Sequence, residues 1–384
     1  MDNNSGWNLR KFLLAALVPF ALNAAPASAE DGISASEIRL GMANAQSGPA
    51  SGLGVGMKVG ASAYLARVNA AGGVNGRKIE LIVKDDGYEP PRTASATEAL
   101  IGTDKVFALF GYVGTPTSSA AVPIASKAQV PYLFPFTGAE FLRNPVSKYV
   151  FNVRASYFDE TEAMVERLTK DLGVKNIAML MQDDAFGEAV KGGVARALFK
   201  RNMKIHAESR IKRNSLEVDA AVDAMKAAKP EAIVFVGTYK QMAAAVKKAK
   251  AAGITARFLT VSFIGTENFI AEAGADGDGA YITQVVPSPQ DASIPVVKNY
   301  LSDVKSDIGY TSLEGYINAV VLVEALKAAG AQPTRASLIA ALESLNTDIG
   351  GLKIQFSATN HQGSGKVFLT RVQGGKAVQV DKIQ

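Results

Sequence analysis

VFALFGYVGTPTSSAAVPIASK, residues 106–127, passes from an unbroken apolar run, through a patch of small hydroxyl residues, into a helical pattern. Val106 to Val113 reads as a strand buried on both faces, the signature of a parallel sheet covered by helices. From Ser118 the composition is that of a helix running to Lys127. Between them stand Gly114, Thr115 and Thr117, small and polar where a strand hands over to its helix. Open parallel sheets hold ligands outside the carboxyl ends of their strands, where the first N–H groups of a helix have no partners. The same hydroxyls could instead cap the helix, and Thr115, Thr117 and Ser118 are each candidates for that role.

Working outward, the pattern recurs. Strand-like runs are expected at 38–43, 79–84, 106–112 and 130–136, and again at 176–181, 204–211, 232–237, 257–263 and 280–286. Ala-, Lys- and Glu-rich segments with helical period lie between them; YLARVNAAGG, for example, stops its helix on Gly72-Gly73. Strand and helix in alternation predict an α/β fold with parallel sheets wrapped on both faces. The four strands of 38–136 find an echo in the four of 176–263, which predicts two doubly wound lobes joined near Arg154. Beyond residue 287 the pattern becomes three helices followed by short strands.

The chain has 384 residues and opens with export features. Arg10-Lys11 precedes an apolar stretch from Phe12 to Leu22, and Ala27-Ser28-Ala29 gives a small-x-small cleavage pattern. Residues 1–29 are therefore expected to be a signal peptide, cut after Ala29, which places the protein in the periplasm. Cleavage removes two of the 41 basic and one of the 36 acidic residues, so the net charge of +5 falls by one. The densest basic cluster, KKAK at 247–250, sits among apolar residues in a helical segment and reads as a solvated face, so no nucleic-acid partner is expected.

Several chemistries are excluded or weakly supported. There is no cysteine, which removes thiol catalysis, thiolate metal sites and disulfides. Only two histidines occur, His206 in a strand pattern and His361 in the turn-like NHQGSG, and both read as structural. Neither HExxH nor GxSxG is present. The pairs Asp85-Asp86 and Asp183-Asp184 follow strands, where loop acids commonly cap the next helix. The glycine-rich SGLGVGMKVG (51–60) does not make GxGxxG, and GSGK (363–366) has Asn360 where a phosphate loop needs glycine. No enzyme activity, metal or cofactor is expected.

Small polar residues after strands recur in AQSGP (45–49) and PFTGAE (135–140), while DDAFGE (183–188), GTYKQ (237–241) and SFIGTEN (262–268) add Phe186, Tyr239 and Phe263. Anion-holding donors on one lobe facing aromatic walls on the other suit a small ligand with an acidic head and an apolar body.

These motifs carry a resemblance. IRLGMANAQSGPASGLG, VNAAGGVNGRKIELIVKDDGYEP, VPYLFPFTGAE, DDAFGEAV and FVGTYKQM are similar to stretches of the type I periplasmic solute-binding proteins that serve ABC importers of the leucine/isoleucine/valine kind, with the likeness running from about Glu37 to Val372. The resemblance implies two doubly wound lobes joined by a three-strand hinge, with crossings near 152–155, 285–288 and 353–357. It implies residues 30–153 plus 287–354 for one lobe, and 154–286 plus 355–384 for the other. It implies that Val113, Gly114 and Thr115 hold the ligand carboxylate, that Phe136, Thr137 and Gly138 form the neighbouring loop, and that Leu53 lines the wall. Gly138 stands where those proteins carry a hydroxyl. Phe186 and Tyr239 would cover the ligand. Ser262 and Phe263 occupy the place where the amino-acid binders put a carboxylate against the ligand ammonium; Asp184 or Glu267 are the nearby substitutes. The implied partners are a small amino acid or organic acid and a membrane permease. The implied ligand is a branched-chain amino acid or a related small carboxylate; an aromatic or other ammonium-free acid, or a sensory role in the same fold, is the alternative.

Overall fold

A computed structural model describes residues 30–384, so the expected signal peptide and its cleavage point after Ala29 lie outside the described residues. The chain begins with β1 (Glu37–Asn44), α1 (Ser51–Ala70), β2 (Lys78–Asp85), α2 (Pro90–Gly102), β3 (Ala108–Phe110), α3 (Thr115–Lys127), β4 (Tyr132–Leu133) and β5 (Val150–Phe151). These strands form a fully parallel sheet in the order β2-β1-β3-β4-β5.

The motif then restarts with α4 (Tyr157–Leu172), β6 (Ile177–Gln182), α5 (Ala185–Phe199), β7 (Glu208–Ile211), α6 (Asp219–Ala228) and β8 (Ala232–Val236). It continues through α7 (Tyr239–Ala251), β9 (Arg257–Thr260), α8 (Thr266–Ala273) and β10 (Tyr281–Gln284). The second sheet repeats the first one's order, β7-β6-β8-β9-β10, all parallel. The chain is an α/β protein of two doubly wound parallel-sheet lobes.

The remaining segments complete both lobes. α9 (Pro295–Asp303), α10 (Tyr310–Ala328) and α11 (Arg335–Glu343) pack on the first sheet with the small antiparallel pair β11 (Asn346–Asp348) and β12 (Lys353–Gln355). β13 (Phe368–Gln373) and β14 (Lys376–Gln379) then extend the second sheet antiparallel beyond β10.

Several expected strands are shorter than their apolar runs. The 106–112 run ends at Phe110 because Gly111 takes φ +66, and the 130–136 run ends at Leu133 because Phe134 takes φ 55, and either turn leaves the extended conformation. The 257–263 run ends at Thr260, and Ser262–Ile264 coils into a 3-10 turn. The third crossing also falls later than 353–357. Ile354 and Phe356 are still buried in the first lobe's core, with Phe356 stacked on Phe134. The crossing strand meets the first one further on, where Asn152 N–H donates to His361 O (2.9 Å) and Gly363 N–H to Asn152 O (2.7 Å). His361 stacks on Phe151 at 3.8 Å, with Nδ1 against the Ser147 and Val150 carbonyls, a structural role that fits its burial.

The glycine-rich 51–60 stretch is the first half of α1. It packs on α10, a helix buried nearly all round. A Cβ on Gly60 would lie 1.7 Å from Ser312 O, and one on Gly315 would lie 2.3 Å from Met57 O. Gly60 and Gly315 serve backbone-to-backbone contact between the helices, while Gly54 lies against the Ala45 carbonyl and Gly52 against the Asn268 side chain.

Candidate functional site

In each lobe the sheet order reverses between the first and third strands of the motif, and there the loops at the strand ends splay to opposite faces. The loops after β1 and β3 therefore meet those after β6 and β8, and the sequence candidates lie on or beside these loops.

The β3–α3 loop and the loop after β4 run side by side. Phe136 N–H donates to Tyr112 O (2.7 Å), Gly114 N–H donates to Phe136 O (3.1 Å), and Val113 bridges Phe136. Gly114, at φ +104, is the N-cap of α3 and has no side chain to offer. The Thr117 hydroxyl turns back to the Val113 and Gly114 carbonyls, and that of Ser118 to Gly114 O at 2.6 Å. Neither caps the helix. Thr115 and Thr137 bring their hydroxyls together at 2.7 Å, and the Tyr157 hydroxyl joins them at 3.3 Å from Thr137. All three residues are buried. The result is a cluster of three hydroxyls beside the start of α3, where the peptide dipoles favour negative charge.

Gly138 has a local reason to lack a side chain. Tyr157 packs on its Cα so closely that a Cβ would lie 2.6 Å from the ring, and Tyr157 N–H donates to Gly138 O at 2.7 Å. Rings from both lobes close over this cluster. Phe263 sits 4.6 Å from Phe186, 5.5 Å from Phe136 and 6.0 Å from Tyr88, and Tyr157 lies 5.6 Å from Phe186. Leu53 and Tyr239 form a second group at the start of α1. Tyr239 OH accepts the Gly52 N–H across the lobes at 3.1 Å, and Leu53 lies against Gly265.

Position 262 differs most from expectation. Ser262 has no free donor: its N–H and hydroxyl both donate to Glu160, at 2.8 and 3.1 Å, and its hydroxyl also contacts Arg154. Arg154 is fully buried on the crossing between lobes. It pairs with Glu160 of α4 at 3.2 Å and Glu314 of α10 at 3.4 Å, and lies over the Phe136 ring at 4.9 Å. Glu160 also accepts the Thr283 hydroxyl at 2.6 Å. Burial pushes the Glu314 carboxyl up to about 7, against the opposing pull of Arg154.

The two proposed substitutes are also committed. Asp184 caps α5 through Phe186 N–H (2.9 Å) and pairs with Arg213 at 3.1 Å. Glu267 turns to the start of α10, where both its oxygens accept the Tyr310 N–H. Asp85 and Asp86 order their own turn rather than cap α2; Asp86 accepts Tyr88 N–H and the Thr93 hydroxyl.

Sequence reasoning assigned no role to Tyr88, Arg154, Tyr157, Glu160, Gln182 or Glu314. Tyr88 stands in a quoted stretch just past a strand end, a signal that could have found it. The charges could not be found that way, because an Arg and two Glu from three segments become neighbours only in the fold.

The sequence matches the periplasmic binding protein family over residues 37–377, and the chain belongs to that family. It is a solute-binding protein rather than an enzyme. Among known proteins it is 23% identical, over 87% of this chain and 90% of the other, to the leucine-, isoleucine-, valine-, threonine-, and alanine-binding protein of Pseudomonas aeruginosa. Among solved structures it resembles a possible leucine/isoleucine/valine-binding protein from Rhodopirellula baltica, at TM-score 0.85 and 32% identity, covering 92% of this chain and 98% of that one. It also resembles the solute-binding protein of an R. palustris ABC transporter solved in complex with benzoate, at TM-score 0.80 and 21% identity, covering 90% and 96%.

Proposed function

We propose that this chain is the exported substrate-binding component of an ABC importer that captures a small apolar carboxylate without an ammonium group and delivers it to a membrane permease. One observation carries the choice of ligand: the acids around position 262 are all committed within the protein. Glu160 and Glu314 face Arg154, Asp184 faces Arg213, and Glu267 faces the start of α10. An ammonium buried here without a counter-charge would cost several kcal/mol. The hydroxyl cluster of Thr115, Thr137 and Tyr157 and the rings of Phe136, Phe186 and Phe263 suit an acidic head on an apolar body. The neighbour solved with benzoate supports the same class.

The lobes in this reading are residues 30–153 with 287–361, and 154–286 with the remainder. Capture proceeds by hinge closure, because only the closed form touches the ligand from both lobes, and the ligand shifts the population toward it. The mature protein starts at Glu30 in the periplasm.

The test is thermal and chemical unfolding of the mature protein with benzoate, isovalerate and leucine. A ligand at a hundred times its dissociation constant stabilises by about 2.7 kcal/mol. Stabilisation by an acid and none by leucine is expected; stabilisation by leucine alone returns the site to amino acids.

A further inference from the structure

We propose that a charged latch at the rim of the cleft, Glu89 of the first lobe gripped by Arg213 and Asn214 of the second, biases the protein toward its closed form. The latch rests on the hinge-closure reading above and adds to it the contact that tilts the hinge.

The second lobe presents its two residues on a tight turn. β7 ends at Ile211, Ser215 N–H donates back to Lys212 O at 3.1 Å, and Asn214 takes the left-handed conformation at φ 59. The buried Gln241 of α7 clamps both ends of that turn, its amide donating to Lys212 O at 2.9 Å and to Ser215 O at 3.1 Å. Between these anchors the two side chains reach the first lobe. Arg213 donates to one Glu89 oxygen at 2.9 Å, and Asn214 donates to the other at 2.8 Å. The receiving side is fixed as well: Asp86 accepts the Tyr88 N–H through its side chain at 2.8 Å and the Glu89 N–H through its carbonyl at 3.0 Å.

These contacts belong to a ring of bonds that runs into the cleft. Arg213 also pairs with Asp184 at 3.1 Å, Asp184 accepts the Gln182 amide at 2.7 Å, and Gln182 donates at 3.2 Å to the hydroxyl of Tyr88, the residue before Glu89. When the lobes part, only the bonds at Tyr88, Glu89 and Gly87 cross between them and break. Arg213 keeps the carboxylate of Asp184, and the Glu89 side chain, already 40% exposed, passes into water. The latch therefore opens without leaving a buried charge unpaired, which the Arg154 pairs deep in the crossing cannot do. An ion pair this exposed is weak and screened by salt, which suits a bias on an equilibrium rather than a lock.

Spin labels, one on each lobe, test the latch. The chain has no cysteine, so Glu98→Cys on α2 and Asp223→Cys on α6, both at exposed positions, take the labels alone. Pulsed electron paramagnetic resonance on the mature protein then gives the closed-to-open ratio, without ligand and at one fixed concentration of benzoate or of leucine. Glu89→Ala removes both cross-lobe bonds and costs α2 no cap, because the Glu89 side chain makes none. The ratio is expected to fall about fivefold in Glu89→Ala. High salt should lower the ligand-free wild type to the level of the variant and leave the variant unchanged. Equal ratios in wild type and variant overturn the latch; if ligand still shortens the distance, hinge closure stands without it. A single distance that ligand, salt and substitution all fail to move overturns the latch and the hinge reading together.

Discussion

At the scale of single residues, Arg154 sets the electrostatics of the cleft. A guanidinium with no exposure to water persists only when paired, and Arg154 has one carboxylate partner on each side of the crossing. Ser262 is small because Arg154 and Glu160 fill the space beside it. Thr115 is the residue on which the anion site turns. Its hydroxyl meets that of Thr137 and stands at the first position of α3. Thr115→Ala is expected to weaken carboxylate binding by about 1.5–3 kcal/mol, the worth of a hydrogen bond to a charged group, as measured by calorimetry. Unchanged affinity would move the anion to another loop. The place of Thr115 at the strand-to-helix junction was legible, because an apolar run there gives way to a glycine and a helical pattern. The partners of Ser262 were not, since Arg154 and Glu160 share no spacing with it that a periodicity could reveal.

At the scale of elements, the pairing of α1 with α10 joins the first third of the chain to its last quarter. The glycine-rich first half of α1 folds as a helix despite the poor helix propensity of glycine, because tertiary packing overrides propensity. Gly60→Ala inserts a methyl group where the Ser312 carbonyl already stands. It is expected to destabilise the protein by about 1–3 kcal/mol in urea unfolding, through forced separation of the two helices. A neutral result would show that α10 can shift freely. Strand existence was legible throughout, as apolar runs bounded by polar loops. Strand ends were less so, since the left-handed turns at Gly111 and Phe134 end two strands inside apolar runs that continue past them.

At the scale of the whole molecule, contacts between the lobes hold the cleft closed, and one of them is sensitive to pH. Burial pushes the Glu267 carboxyl up to about 7, opposed by the backbone N–H bonds it accepts. The folded protein thus holds this proton more tightly than the unfolded chain, whose ordinary value is 4.5. The penalty is absent below that value. It grows as pH rises toward 7 and is constant above, at a slope of up to about 1.4 kcal/mol per unit. Urea unfolding between pH 5 and 8 should show wild-type stability falling up to about pH 7 and level above it, relative to Glu267→Gln; parallel curves throughout would place Glu267 in water. The sequence by itself determined the repeated strand–helix alternation, the two lobes, and the hydroxyl and aromatic loops at the strand ends, because these are encoded in local pattern and spacing. Only the tertiary structure decided which charges meet. Buried partners are selected by proximity in space, and the low dielectric of the interior makes each such meeting count for far more than it would along an extended chain.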